Sequence, residues 1–300
     1  MLNRWLGIAL FALMASANAW LFVRDVLPRW WVGDPPDPIT SLIPSGGEDW
    51  IQMAIYDAQD KLVGRSWTHI SRQSAVAIHE SLTFIYPIRL PARPNMETPA
   101  LKVEITLTFQ ENSDNVDELR MVVAGLPLAV GLRGERVSSQ FPCIWQVGEQ
   151  KGSFILDADA TRSLGDALRP FERLTGLEVG QSWRMQILNP MSRLVPGMNS
   201  DALEFDTILV RVTREEEIMI RGKIVKALRV EAPQTVGWVG PGGRVLRQEV
   251  DLPLIGKLRI EDEPYRESTL KKTVFQFREL IADSEAEEAQ KRIEKEFDEF

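Results

Sequence analysis

The chain of 300 residues is long enough for one large domain or two small ones, and its 44% hydrophobic and 26% charged content excludes a disordered polymer. A formal charge of −8 argues against a general nucleic-acid binder, which would carry a basic stripe. The lone Cys143 excludes an intrachain disulfide framework and any multi-cysteine zinc site, and no motif implies a cofactor.

Trp5 to Val23, WLGIALFALMASANAWLFV, is 19 residues without a charge. A helix of that length rises about 28 Å, close to the hydrocarbon thickness of a bilayer. Arg4 precedes it, Arg24, Asp25 and Arg29 follow it, and Trp5, Trp20, Trp30 and Trp31 suit the headgroup region. Residues 1–31 are therefore read as a single-pass anchor in the cytoplasmic membrane. The alternative is a cleaved signal peptide, with Ala17-Asn18-Ala19 as the cleavage site and a secreted or periplasmic product. Trp20-Leu21-Phe22-Val23 continues the apolar run past that site and favours the anchor. A short basic N-terminus before the apolar run places the body outside the cytoplasm, after a Pro- and Gly-rich spacer over 32–47.

From Glu48 the hydrophobic period is two. Trp50–Asp57, Leu62–Ile70 and Ala75–Tyr86 are β-branched or aromatic runs, and Leu101–Phe109 alternates apolar with polar residues. Val116–Ala124 is expected to pair with Leu128–Val137, and Cys143–Val147 with Gly152–Leu156. Arg162–Thr175 has helical spacing, with Gly176 at its end. A second block of strands comprises Trp183–Leu188, Leu203–Thr213, Glu217–Arg221, Ile224–Glu231, Thr235–Val239, Arg244–Val250 and Leu254–Ile260. Gly240-Pro241-Gly242-Gly243 turns one hairpin, and Glu261-Asp262-Glu263 reads as an exposed acidic loop. The expected fold is mainly β (a β-rich α+β class): a large curved antiparallel sheet or half-barrel over 48–265 with one short internal helix. A C-terminal segment, 266–300, ends in an acidic helix over Ser284–Phe300.

Chemical candidates are few. His69 and His79 lie in strand-like runs, and acid/base or metal work would need them to converge with carboxylates such as Glu80 or Asp57. Cys143, between Phe141 and Trp145, reads as a buried thiol; a carboxylate or Cys143 acting with His69 or His79 defines the alternative of a hydrolase. Trp67, Trp145, Trp183 and Trp238 fall in strands, as core residues or as the lining of a ligand groove. No P-loop, G-x-S-x-G or H-E-x-x-H occurs, and no catalytic or metal residue is assigned.

The hairpin Gly237-Trp238-Val239-Gly240-Pro241-Gly242-Gly243-Arg244-Val245-Leu246-Arg247-Gln248-Glu249, with Leu62-Val63-Gly64 and Gly176–Trp183, resembles extracytoplasmic β domains of planctomycete-like bacteria. Those domains often precede a transglutaminase-like module. The resemblance covers roughly Glu48–Ile260 and implies a curved sheet similar to the LolA-like lipoprotein carriers. The catalytic module is missing: both histidines precede Cys143, where a Cys, His, Asp order is required. The expectation is a non-enzymatic binding or scaffolding domain, tethered to the membrane by its N-terminal helix, with a lipid, peptide or protein partner on the sheet.

Overall fold

The computed structural model describes residues 33, 36, 43–44, 46–73, 76–90, 93–109, 115–125, 130–148, 150–157, 161, 173–188, 205–252 and 255–281. The first strands are β1 Glu48–Tyr56, β2 Leu62–Gln73 and β3 Val76–Ile85. A short hairpin follows, β4 Arg89–Leu90 with β5 Arg93–Glu97, and then β6 Leu101–Phe109 and β7 Val116–Ala124. Next come β8 Val130–Glu135, β9 Gln140–Val147, β10 Gln150–Asp157 and β11 Ser182–Leu188. The last are β12 Phe205–Ile220, β13 Lys223–Ala232, β14 Thr235–Val239, β15 Val245–Leu252 and β16 Gly256–Glu263, before helix α1 Glu267–Ile281.

Fourteen strands form one antiparallel sheet in the order β10-β9-β8-β7-β6-β3-β2-β1-β16-β15-β14-β13-β12-β11. The chain enters at the centre, and successive strand pairs carry it outward to β10. It resumes at the opposite edge with β11 and returns inward until β16 pairs with β1, Gln52 opposite Glu263 and Ile55 opposite Ile260. The two strand blocks of the sequence are thus halves of a single sheet.

Alternation sorts each strand onto two faces. One cross-strand row runs Asp49, Ile70, His79, Leu107, Leu119, Gly134, Cys143, Phe154 over β1, β2, β3, β6, β7, β8, β9 and β10. It lies on the core face, where Leu107, Phe109, Val116, Leu119, Leu132, Phe141 and Cys143 pack together. Trp183, Met185, Val210, Val212, Val230, Val239 and Val245 form a second cluster toward the other edge, with Leu174 and Leu177 against it. Small residues admit the bulk here: a Cβ on Gly152 would meet the Trp145 ring at 2.5 Å, so that indole lies across the glycine opposite it.

The other face carries α1. Leu270, Val274 and Phe277, at i, i+4 and i+7, pack on Trp67, Phe84 and Leu82, while Phe275 faces away and is exposed. Glu267 accepts from Lys271 one turn later at 2.6 Å, and the amide of Arg266 donates to Gln52 Oε1 at 3.0 Å.

Several expectations need correction. Leu203–Thr213 and Glu217–Arg221 are not separate strands: Arg214, Glu215 and Glu216 carry β12 through without a break. Their charges are tolerated because Arg214 and Glu216 pair on the helix face, where Glu216 also meets Arg229, while Glu215, on the other face opposite Leu228, is exposed to solvent. Glu261-Asp262-Glu263 is no loop but the end of β16, its outer two carboxylates on the helix face and Asp262 on the core face, 6% exposed. The helix expected over Arg162–Thr175 does not reach its stated end. Arg173 bridges Arg244 as extended chain, and the amide of Leu174 donates to Gly243 O at 2.8 Å; residues 162–172 lie outside the described residues. Helix α1 and the β4–β5 hairpin were not expected. The Trp5–Val23 anchor and the Ser284–Phe300 helix also lie outside the described residues, and among those described no helix is long and apolar enough to cross a membrane.

Candidate functional site

The row next to the core row points the other way. It runs Trp50, His69, Glu80, Thr106, Arg120, Arg133 across β1, β2, β3, β6, β7 and β8. His69 ties three strands together: its Nδ1 lies 3.1 Å from Glu80 Oε2 and its Nε2 3.3 Å from Glu48 Oε2. The imidazole stacks on Trp50 at 4.1 Å between centroids, and Trp50 stacks on Tyr265 at 4.6 Å, just ahead of α1. The aromatic stack and the helix together form one wall of a polar strip. Beyond Glu80 the strip opens into a trough of about 400 Å³ lined by Thr106, Thr108, Glu118, Arg120, Arg133 and Glu135.

On the other side of α1 the same face carries a ladder of ion pairs. Arg65 contacts Glu263 at 3.2 Å, and Arg247 and Arg259 share Glu261 at 2.7 and 3.1 Å. Trp238 lies between the guanidinium groups of Arg229 and Arg247, 5.5 and 5.9 Å from its ring, and donates its indole N–H to Glu216. That hydrogen bond is the largest influence holding the Glu216 carboxyl below its ordinary range, with Arg214 and Arg229 adding to it. A second trough, about 550 Å³, includes Arg184, Thr207, Arg211 and Glu231 near the β11 edge.

The candidates named from sequence do not meet at one place. Trp67 and Trp238 are on the helix face, the first in the hydrophobic packing under α1 and the second in the ion-pair ladder. Trp145 and Trp183 are on the core face, so one groove does not take all four. His79 is fully buried on the core face in the same row as Cys143, four strands away and so about 19 Å along the sheet. His69 is on the opposite face. The alternative pairing of Cys143 with a histidine is not assembled; what the fold does bring together is His69 with Glu48 and Glu80. No group of three metal-ligating side chains fit to hold an ion occurs among the described residues.

Cys143 is 0% exposed, its thiol 3.7 Å from Phe141 O, and burial pushes its pKa up to about 12. The thiolate is the nucleophilic form, so iodoacetamide at pH 8 is expected to leave the folded chain unmodified and to react after urea unfolding. Equal alkylation rates in the two states, followed by mass spectrometry, would contradict this burial.

The strip was missed in sequence because its members lie on six strands spread over more than eighty residues. The available signal was the alternation Glu118, Arg120 in one strand and Arg133, Glu135 in another.

In fold and site, this is a mainly β protein built on one large antiparallel sheet, with a mixed-charge, aromatic-walled strip beside its helix. Compared with known proteins, the chain matches no family model, no curated protein and no solved structure.

Proposed function

We propose that the chain is a membrane-tethered, extracytoplasmic binding domain, non-enzymatic, which takes its partner on the helix-bearing face of the sheet. The observation that carries this reading is the strip from Trp50 to Arg133. It combines stacked aromatics, a histidine held by two carboxylates and a trough of about 400 Å³, within the usual size of ligand sites. The core face supports it from the other side. Residues such as Leu107, Val116, Phe141, Val210 and Val230 are 0% exposed, so that face is filled where a lipid carrier would keep an apolar cavity. The sheet is read as curved, in the manner of the LolA-like domains. Residues 0% exposed toward both ends of one sheet, with Leu174 and Leu177 packed on the same side, favour a curved sheet. The tether rests on Trp5–Val23 and its flanking tryptophans.

Two measurements test the reading. In outer-permeabilised cells a C-terminally tagged chain is expected to remain full-length and membrane-bound and to be degraded by added protease. A soluble chain shortened after Ala19, or full protection, would overturn the topology. A photo-crosslinking residue at Thr108 is expected to yield adducts that one at Glu217, exposed on the β12–β13 hairpin, does not; equal yields would remove the strip as the binding face.

A further inference from the structure

Over most of the helix face, unlike charges stand opposite one another: Arg247 with Glu261, Arg211 with Glu231. On β7 and β8 the register does the reverse. Arg120 lies directly opposite Arg133, and two residues earlier Glu118 lies directly opposite Glu135. Like charges facing each other across a strand pair are unfavourable; β12 and β13 set one such pair, Arg214 opposite Arg229, whereas β7 and β8 carry two rows side by side. Each row continues onto β6 in a hydroxyl, Thr106 beside the arginines and Thr108 beside the glutamates. Between the rows lie Leu119 and Gly134, which face the core; a Cβ on Gly134 would strike Phe141 and Cys143. The floor of the trough is therefore backbone, with a cationic rail and an anionic rail about 7 Å apart.

We infer that this trough binds a zwitterionic group, a primary ammonium and a phosphate or carboxylate held a few ångströms apart; the inference rests on the binding reading above and names its ligand. The anion sits across Arg120 and Arg133, whose planar forks and the Thr106 hydroxyl donate to its oxygens. The ammonium sits across Glu118 and Glu135, which with Thr108 accept its N–H groups. A quaternary amine offers no N–H and binds more weakly. A free small zwitterion and an ethanolamine-type lipid headgroup share this chemistry.

The test is titration calorimetry of the full chain in detergent micelles with phosphoethanolamine, and with phosphocholine as comparison. Saturable binding of the first, at least about tenfold tighter than the second, is expected. Arg120→Glu with Arg133→Glu should weaken it at least about tenfold, as should the milder Arg120→Gln with Arg133→Gln if the reversal unfolds the chain. Adding Glu118→Arg and Glu135→Arg to the reversal exchanges the rails, and should restore binding. Vesicles containing phosphatidylethanolamine displace the probe if the source is a lipid headgroup; a free zwitterion is the source if they do not. No saturable heat with the unaltered chain, or binding indifferent to both arginine pairs, overturns the inference. If the Thr108 adducts persist in that case, the binding face stands and only its ligand is wrong; if they too are absent, both fall.

Discussion

Trp67→Ala is expected to destabilise the full chain by about 3–5 kcal/mol, the range for truncating a large buried aromatic. Trp67 is 2% exposed and meets Phe84 edge-on at 6.0 Å, while Phe84 packs on Phe277 of α1 at 4.8 Å. Its indole N–H donates to Gln52 Oε1 at 3.0 Å, and that oxygen also accepts the amide of Arg266 at the root of the helix. Gln52 Nε2 in turn donates to Glu263 at 2.8 Å. Trp67 thus supports the helix twice, by packing under it and by fixing the amide that ties its first turn to β1. Trp67→Phe keeps most of the apolar volume and forfeits the hydrogen bond, for a loss of about 1 kcal/mol. Urea unfolding of the three proteins, with proteolysis near α1 as a local readout, checks the order; a cost under about 1 kcal/mol for the alanine variant would show that α1 does not depend on this contact.

Asp262→Ala is expected to cost about 2–4 kcal/mol, through the loss of a buried carboxylate that accepts from two arginines. Arg244 reaches it through Nε at 2.9 Å and Nη2 at 2.6 Å, and Arg221 through Nη2, with Arg221 Nε on the Asp262 carbonyl at 2.9 Å. Arg244 closes the β14–β15 turn and Arg221 the β12–β13 hairpin, so one side chain on β16 anchors two hairpin ends. Nearby, Arg173 meets Asp49 at 3.1 Å and bridges Arg244, drawing the crossover into the same arrangement. Burial is the largest influence on Asp262 and raises its carboxyl above the ordinary range against the lowering pull of Arg244 and Arg221.

That direction fixes the pH dependence. A carboxyl that holds its proton more tightly folded than unfolded favours folding while protonated. Its contribution to stability therefore falls as pH rises from the ordinary carboxyl range through the raised value. Asp262→Asn should flatten that slope and cost less than alanine, since it preserves the volume and one acceptor. Thermal melts across pH 3–7 (roughly the window where carboxylates titrate) test both statements. An unchanged slope would mean that another group sets it.

Much of the sheet was legible in local pattern. The alternation of Leu101–Phe109 gave β6 to the residue, because each apolar side chain needs the same buried face. Thr235–Val239 and its glycine turn likewise gave β14 and the bend into β15, where Gly242 and Gly243 take positive φ of 76° and 79°. The Asp57 turn between β1 and β2 formed as its residues suggest, the carboxylate accepting the amides of Gln59 and Lys61 at 2.9 Å. Neighbouring strands joined by short turns pair because little chain entropy separates them.

What a single sequence determined here is therefore class and local order: a chain of antiparallel strands, their bounds to within a few residues, and the side of each strand that is apolar. The tertiary structure alone decided which strands meet across long separations. The pairing of β1 with β16 joins residues 211 positions apart, and nothing in either strand's own alternation names its partner. It also decided the meaning of charge. Glu261-Asp262-Glu263 and Arg214-Glu215-Glu216 look like solvated loops when read along the chain, yet lie in strands: Arg247, Arg244 and Arg65 meet the three carboxylates of the first, and Arg229 of β13 meets Glu216 of the second. The mixed-charge strip has the same origin. Each of its residues is an ordinary position on its own strand, and only the register of six strands aligns them into one row with arginine opposite arginine, beside a second row with glutamate opposite glutamate. Period and propensity act between near neighbours, whereas register is a property of the whole sheet.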